Sequence, residues 1–178
     1  GISIPLVTDQ ATWGGLTSHA YCWYSNDEPA YKNTYGAIYN WYTVYQGNLC
    51  PEGWHIPTDA EWTLLANFLG GASASGGKLK EQGLTHWETP NTGATNESGF
   101  NGLPGGYRGN DFYEIARTAR WWSATENGAS IAWITSLSYL SASQSRIQMG
   151  KFGGMSVRCL KGTYPLAETN SATTVTST

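Results

Sequence analysis

The stretch from residue 121 to residue 160 departs from the patterns of ordinary strands and helices. Its two ends, Trp121-Trp122-Ser123 and residues 156–160, predict core strands. Between them lie Ser, Ala, Gly and Thr, interrupted by single large apolar residues at no fixed period. A core strand would alternate, a helix would repeat every 3.6 residues or so, and a disordered linker would carry few large apolar residues. The pattern therefore predicts an ordered surface whose side chains serve contact rather than burial.

The clearest helix signal follows a short predicted strand that two prolines bound, within residues 50–57. Thr58 and Glu61 have the spacing of a capping box, in which each side chain binds the backbone N–H of the other residue. Gly70-Gly71 predicts the C-terminal end of the helix that starts there. We expect a helix over about residues 59–69 that packs one apolar stripe on a sheet, formed by Trp62, Leu65, Phe68 and Leu69.

Other segments give weaker signals. Residues 4–7 predict a short strand that Pro5 places at an edge or a start. Residues 35–41 fit either a buried strand or the start of a short helix, and residues 78–81 predict a short helical turn. The Ser/Thr-rich tail, residues 163–178, is expected to be mobile unless residues 173–176 add as an edge strand.

Composition narrows the classes of function. The 178 residues carry a net charge of −3, and 13% of them are charged, against a usual share of roughly 25%. The 10 Lys and Arg residues are scattered, which argues against a nucleic-acid groove, and the apolar runs are too short to span a bilayer. The 9 Trp, 11 Tyr and 22 Gly favour one loop-rich α+β domain, over residues 1–162, whose backbone is held by large rings. No signal peptide opens the chain.

The three cysteines are too few for a disulfide scaffold. Two alternatives stay open, namely one bridge with one free thiol, or three buried thiols. If a bridge forms, we expect Cys50 with Cys159, because each flanks a predicted core strand. The low Lys content and the abundance of Asn favour an extracytoplasmic setting.

Several polar residues are candidates for chemistry, and each has a plainer interpretation. The loop at residues 25–29, Ser-Asn-Asp-Glu-Pro, offers oxygen ligands for Ca²⁺ or is a solvated turn. His55 is a general base or ligand, or a packed strand histidine, and the lack of a partner near it in sequence favours the second. Arg117 and Arg120 contact a ligand or are solvated loop charges. No Ser-His-Asp order and no metal-spaced set of His and Cys is present, so neither a catalytic nor a metal site is predicted.

Longer motifs, in their order along the chain, resemble a known family. They are YCWY at 21–24, YGAIYNWY at 35–42, LCPEGWHIPTDAEW at 49–62, GGKLK at 76–80, ATNESGF at 94–100, LPGGYR at 103–108, WWSATE at 121–126 and SVRC at 156–159. Over about residues 4–161 the chain resembles the Fibrobacter succinogenes major paralogous domain, without the usual N-terminal portion of that domain. The tail lies outside the resemblance.

The resemblance implies a C-type lectin-like fold, which is α+β and loop-rich, with small antiparallel sheets and one or two helices. Within this fold, the family belongs to the branch that also contains the formylglycine-generating enzymes. Some members of this branch are target proteins of diversity-generating retroelements, and exposed side chains of their C-terminal variable region form the ligand site. That region corresponds here to about residues 121–153. The resemblance implies fixed core residues at Trp122, Ala132, Trp133, Leu137, Arg146 and Val157. It implies ligand contacts at Asn127, Ser130, Ile131, Ile134, Thr135, Ser136, Ser138, Tyr139, Leu140, Ser143, Ser145, Ile147, Gln148, Met149 and Phe152.

The resulting expectation is a receptor or adhesin of bacterial or phage type that binds a protein or a carbohydrate on another cell or surface. It is expected at the cell surface, outside the cell or on a virion, with no membrane span in this chain and no nucleic-acid partner. No cofactor is expected, although Asn96 and Glu97 are candidates for a structural Ca²⁺ site. The alternative is a fixed adhesion or carbohydrate-binding domain. It would share the fold, but residues 127–153 would not differ between copies of the gene.

Two further functions are disfavoured. An enzyme of the formylglycine-generating type uses a late pair of cysteines, whereas Cys159 is the only Cys after Cys50. A Ca²⁺-dependent sugar lectin would carry a Glu-Pro-Asn motif, whereas Thr89 interrupts the similar segment that runs from Glu88 to Asn91.

Overall fold

The computed structural model describes residues 3–46 and 49–162. The prediction of an edge strand at residues 173–176 and the predicted Ser/Thr-rich tail lie outside the described residues. The helices are α1 (Gln10–Gly14), α2 (Glu28–Tyr35), α3 (Trp41–Tyr45), α4 (Asp59–Phe68) and α5 (Ala72–Leu79), with a 3-10 turn at Tyr24–Asn26. The strands are β1 (Tyr21–Cys22), β2 (Ile38–Tyr39), β3 (Trp54–His55), β4 (Gly105–Arg108), β5 (Phe112–Ile115), β6 (Thr118–Glu126), β7 (Ile131–Ser138), β8 (Gln144–Gly150) and β9 (Leu160–Lys161). The fold is α+β and rich in loops, as predicted, with more helices than the one or two expected.

A five-stranded sheet in the order β5-β4-β6-β7-β8 forms the centre of the domain. Its pairs are antiparallel, as predicted, except β4 with β6, which pair in parallel through Gly106 and Ala119. The two small sheets pair β1 with β2 and β3 with β9. The predicted core strand at Trp121-Trp122-Ser123 is confirmed, since these residues lie buried in the middle of β6.

The alternation of β6 separates two of the three core clusters, the third of which surrounds Trp13. Trp121 packs with Trp62, Leu79 and Leu137 on the face that α4 and α5 cover. Trp122 packs on the other face, in a cluster with Trp41, Val44, Ile56, Ala132, Ile134 and Met155. Because successive side chains of a strand point to opposite faces, two adjacent tryptophans anchor a core cluster on each face of the sheet.

Helix α4 confirms the predicted capping box, since the Thr58 side chain accepts from the Glu61 backbone and the Glu61 side chain accepts from the Thr58 backbone. The predicted apolar stripe is wrong at Phe68, whose side chain is 84% exposed. At about 100° per residue, Phe68 lies roughly 120° around the helix from Trp62. Ala66 and Leu69 are the residues that share the buried face with Trp62.

Three further expectations need correction. Residues 131–138 and 144–150 form regular strands, although their sequence shows no period, because small residues pair in the ladder as well as large ones do. Residues 156–160 are no regular strand, since only one isolated bridge, at Ser156, and the start of β9 occur there. Helix α5 covers Ala72–Leu79, whereas the sequence predicted a turn at residues 78–81.

The weaker signals are resolved by local pairing. Residues 4–7 contribute an isolated bridge, between Leu6 and Tyr21, rather than a strand. Residues 35–41 contain both predicted alternatives, because β2 is followed directly by α3. Cys50 and Cys159 form a disulfide, and Cys22 is a buried free thiol, so the expected pairing is confirmed.

Candidate functional site

The hairpin β7–β8 holds most of the predicted contact residues. β7 pairs with β8 in an unbroken antiparallel register from Ile131↔Gly150 to Leu137↔Gln144. β8 is the last strand of the sheet, and its residues from Ser145 to Gln148 are all exposed. The segment that lacked a sequence period is therefore a regular hairpin with an open outer strand.

Burial divides the predicted contact residues into three groups. Ser130, Leu140, Ser145, Ile147 and Gln148 are exposed. Seven are partly buried, namely Asn127, Ile131, Ser138, Tyr139, Ser143, Met149 and Phe152. Ile134, Thr135 and Ser136 are buried, so the prediction of exposed contacts is wrong for these three. Ile134 packs in the core cluster with Trp122, and Thr135 accepts from the buried side chain of Gln144.

Three of the partly buried residues also make packing contacts inside the domain. Tyr139 packs against the Trp121 cluster, and Met149 packs against the Trp122 cluster. Phe152 lies over Gly150, where an added Cβ would come within 2.7 Å of the ring. Truncation of these residues would therefore lower the stability of the fold as well as change the surface.

A groove of about 200 Å³ lies between α4 and the hairpin. Asp59 and Arg146 stand at its polar side, where the Arg146 Nε donates to Asp59 Oδ1 at 2.7 Å and to Oδ2 at 2.9 Å. The Arg146 guanidinium also covers the ring of Trp133, with 3.2 Å between Cζ and the ring centroid. Arg146 was expected in the fixed core, but its side chain is 50% exposed, so this residue belongs to the surface.

The wall of the groove is a satisfied polar network. Gln144 is buried, and its Nε2 donates to Thr135 Oγ1 at 2.9 Å. Its Oε1 accepts from Ser75 Oγ at 3.0 Å, which joins α5 to the hairpin. These bonds fix both strands relative to the helices, because a buried amide without its partners would cost free energy.

Lys80 anchors the turn between β7 and β8. It is fully buried, and its Nζ donates to the carbonyl oxygens of Thr92, Ser138 and Ser141 at 2.8, 3.0 and 2.9 Å. Burial lowers the pKa of Lys80 to about 8. Sequence reasoning missed this residue, because three backbone carbonyls from two distant segments leave no mark on the residues around Lys80.

Residues 3–161 match the model of the Fibrobacter succinogenes major domain. The chain belongs to this family. No curated protein and no solved structure is significantly similar to the chain. Among the described residues of this Fibrobacter succinogenes major domain, no helix is both long and apolar enough to cross a membrane.

A second groove of the domain, about 300 Å³ in volume, lies on the opposite side of α4. Leu65, Phe100 and Leu160 give it an apolar wall, and Arg158 stands at its rim. Arg158 stacks on Phe100 with 4.5 Å between Cζ and the ring centroid, and donates to the Phe100 carbonyl at 2.9 Å. None of the predicted contact residues lines this groove.

The other polar candidates of the domain take part in structural contacts. Arg117 pairs with Glu88 at 2.8 Å, and Arg120 stacks on Tyr107 with 3.7 Å between Cζ and the ring centroid. His55 contacts the Gly162 carbonyl through Nδ1 and Glu61 through Nε2, both at 2.8 Å. Burial opposes the charge of His55, but these two contacts outweigh it and raise its pKa. His55 therefore fits the interpretation of a packed strand histidine.

The candidate Ca²⁺ ligands are also engaged within the domain. Asp27 caps α2 by accepting from the Ala30 N–H, and Glu28 pairs with Lys32 at 2.6 Å. Asn96 accepts from the Asn101 N–H, and Glu97 pairs with Lys78 at 3.2 Å. Across residues 3–46 and 49–162, no three His, Cys, Asp or Glu side chains are grouped as metal ligands.

Proposed function

We propose that this Fibrobacter succinogenes major domain is a ligand-binding domain of receptor or adhesin type with a C-type lectin-like fold. Its binding face is the hairpin β7–β8 with the flanking turns, within about residues 121–153. One observation carries the proposal: residues 145–148 of the outer strand and Leu140 of the turn are exposed, while the residues that support the hairpin are buried. In a site of this kind, the exposed residues can be substituted while the buried residues that hold the backbone stay the same.

The composition of the exposed residues suits recognition. Leu140 is 60% exposed in the turn, and Ile147 is 36% exposed on β8, where Ser145 and Gln148 are exposed as well. Interfaces combine a few large side chains that supply binding energy with small polar neighbours that add complementarity. The hairpin offers both kinds on a backbone whose geometry is already fixed, which reduces the entropy lost on binding.

The supports of the hairpin lie outside its exposed residues. Lys80 holds the turn, Gln144 joins the hairpin to α5, and Trp121 and Trp122 fix the neighbouring strand β6 in core clusters on the two faces of the sheet. Substitutions at exposed positions leave all four supports in place. This separation supports the hypothesis that residues between 127 and 153 are diversified by a retroelement.

The test of diversification is deep resequencing of this gene across one clonal population. Substitutions confined to exposed codons between Asn127 and Gly153, with unchanged codons for Lys80, Gln144 and the two tryptophans, would establish a diversified receptor. A uniform sequence would leave the binding proposal intact and favour the fixed adhesion or carbohydrate-binding domain.

The binding face itself is tested by truncation. A variant that combines Leu140→Ala, Ile147→Ala and Gln148→Ala should lose binding to probes that the wild type retains from a glycan array or a displayed library of surface proteins. The matched control combines Leu64→Ala and Leu84→Ala, which removes side chains that are 69% and 59% exposed elsewhere. Equal binding by both variants would place the site elsewhere.

The partner is a protein or carbohydrate outside the cell, and the role is binding rather than catalysis. The disulfide between Cys50 and Cys159 supports an extracytoplasmic setting, since such bridges persist in oxidising compartments. The same bridge supports a non-catalytic role, because it engages Cys159, the late cysteine that chemistry of the formylglycine-generating type would need as a thiol. No metal cofactor is needed for this proposal.

A further inference from the structure

The two edge strands of the five-stranded sheet, β5 and β8, differ in how well they are protected against pairing with another strand. The edge strand β5 has four residues, and Glu114 within it has a left-handed φ of 62°, which interrupts its ladder with β4. The edge strand β8 has seven residues in an unbroken register with β7. Short length, charge and irregular backbone are the usual devices that protect a sheet edge from another strand. β5 has all three, whereas β8 is longer and regular and carries a single charge, Arg146.

The outer side of β8 has open backbone groups. Within the described chain, no backbone or side-chain hydrogen bond from outside the β7–β8 ladder reaches the main chain of Ser145–Met149. The one charge of the strand does not guard the edge, because Arg146 is drawn across the sheet face to Asp59 and Trp133. β8 contains no Pro and no Lys. These features leave a template for one more strand.

We propose that β8 pairs with β8 of a second copy of this chain, antiparallel and about a two-fold axis at Ile147. This register places Ile147 opposite Ile147 of the second copy, Arg146 opposite Gln148 and Ser145 opposite Met149. It joins the two five-stranded sheets into one continuous sheet. Two-fold pairing of identical edges is the simplest closed assembly, because each contact occurs twice.

The side chains of β8 are complementary to themselves in this register. On one face, Arg146 meets Gln148 of the second copy. The Arg146 Nε is engaged by Asp59, so its terminal nitrogens donate to the Gln148 amide oxygen. On the other face, Ile147 meets its own copy and lies beside Met149, which forms an apolar strip across the axis. No like charges oppose each other, which is the arrangement that favours pairing of adjacent strands.

The helices contact β8 mainly at its start. α4 packs over β6 and β7, the two strands inside β8. α5 packs on the beginning of β8, where Ser75 Oγ donates to Gln144 Oε1 at 3.0 Å, and on the turn, where Gly77 N–H donates to the Ala142 carbonyl at 2.8 Å. The pairing therefore uses the middle of β8, from Ser145 to Met149, and it places the two exposed hairpins side by side on one assembly.

The first test is sedimentation equilibrium of the full chain at rising concentration. We expect a monomer–dimer equilibrium, and we expect Ile147→Lys to raise its dissociation constant by about tenfold or more, because two like charges would meet on the axis. The control is Leu140→Lys, which adds the same charge at an exposed position in the turn, off the edge. A wild type that stays monomeric at all concentrations would overturn the proposal, as would a dimer unaffected by Ile147→Lys.

The second test traps the register. Under mild oxidation, the Ile147→Cys variant should form a disulfide between two copies, since directly opposed residues have Cβ atoms about 5 Å apart. The Gln148→Cys variant should not, because in this register the two introduced thiols lie on residues offset by two positions, roughly 7–8 Å apart. Cys22 is buried and does not compete. A crosslink in the Gln148→Cys variant with none in the Ile147→Cys variant would overturn the register. An extended peptide added to the wild type and to Ile147→Lys gives a further check. If it binds both equally well, the β8 edge serves another strand and self-pairing is overturned.

Discussion

Arg146 and Trp133 meet in a close stack on the open face of the hairpin, with 3.2 Å between the Arg146 Cζ and the ring centroid. The two residues come from adjacent strands, and Asp59 of α4 completes the contact from across the groove. The stack orders a half-exposed arginine at the polar side of the groove.

The stack gives a first prediction, for Arg146→Lys. Lysine cannot lie flat on the indole ring while it binds a carboxylate, so we expect a loss of about 0.5–1 kcal/mol in the free energy of unfolding. Hydrogen exchange of the β8 amides should also become faster. The control is Arg117→Lys, since Arg117 pairs with Glu88 at 2.8 Å but lies 6.0 Å from the Tyr139 ring, and its expected effect is close to zero. Equal losses from both variants would show that the stack contributes nothing of its own.

Lys80→Met gives a second prediction. The variant keeps much of the side-chain volume but leaves the carbonyls of Thr92, Ser138 and Ser141 without their shared donor. We expect a loss of at least about 2 kcal/mol in the free energy of unfolding, because buried acceptors without partners cost roughly 1–3 kcal/mol each. The amides of the turn around Leu140 should exchange faster than those of β4. An unchanged turn would mean that other contacts hold it.

The same lysine makes stability depend on pH. The pKa of Lys80 is about 8 in the folded state, below the value of about 10.4 for an unfolded lysine. Between these values the unfolded chain binds the proton and the folded chain releases it, so this residue makes stability rise with pH, by at most about 1.4 kcal/mol per pH unit. The difference between wild type and Lys80→Met in urea unfolding should therefore change from pH 8 to pH 10. A constant difference would contradict a lowered pKa.

Sequence reasoning succeeded where the signal was local. Thr58 and Glu61 specify the start of α4 by themselves, so the capping box was predictable. Ile134 and Ile147 show the opposite case, because they are the same residue type, directly paired, yet 1% and 36% exposed. Their burial depends on which strand lies at the sheet edge, and no pattern along the chain contains that fact.

Helix α5 was missed for a related reason. Gly76 and Gly77 disfavour a helix by local propensity, but their missing Cβ atoms admit the backbone of Ser143 and Gly93. Tertiary packing overrides propensity here, and the contacts that do so come from residues far away in sequence. The same applies to Lys80, whose three acceptors belong to other segments.

Gly76→Ala tests this account of α5. In an exposed helix the change would stabilise by up to about 1 kcal/mol. At Gly76 the added Cβ would come 2.2 Å from the Ser143 carbonyl oxygen, so we expect the opposite sign, a loss of about 1–3 kcal/mol in the free energy of unfolding. Gly14→Ala is the matched control, since Gly14 ends α1 and its added Cβ would meet nothing within 4 Å. Stabilisation by Gly76→Ala would show that α5 is not in close contact with the backbone of the turn at Ser143.

The pair formed by His55 and Glu61 gives the last prediction. Burial opposes the charge of both groups, but the contacts of His55 with Gly162 and Glu61 raise its pKa, and those of Glu61 with Thr58 and His55 lower its pKa. The His55 contribution is complete below its unfolded pKa of about 6.5 and is lost as pH rises through the folded value, while the Glu61 contribution is complete above about 4.5 and is lost as pH falls. The advantage of wild type over His55→Gln should therefore be largest between about pH 5 and pH 6.5 and smaller at pH 8. Urea unfolding across this range measures it, and an advantage that grows toward pH 8 would show that His55 is held in its neutral form.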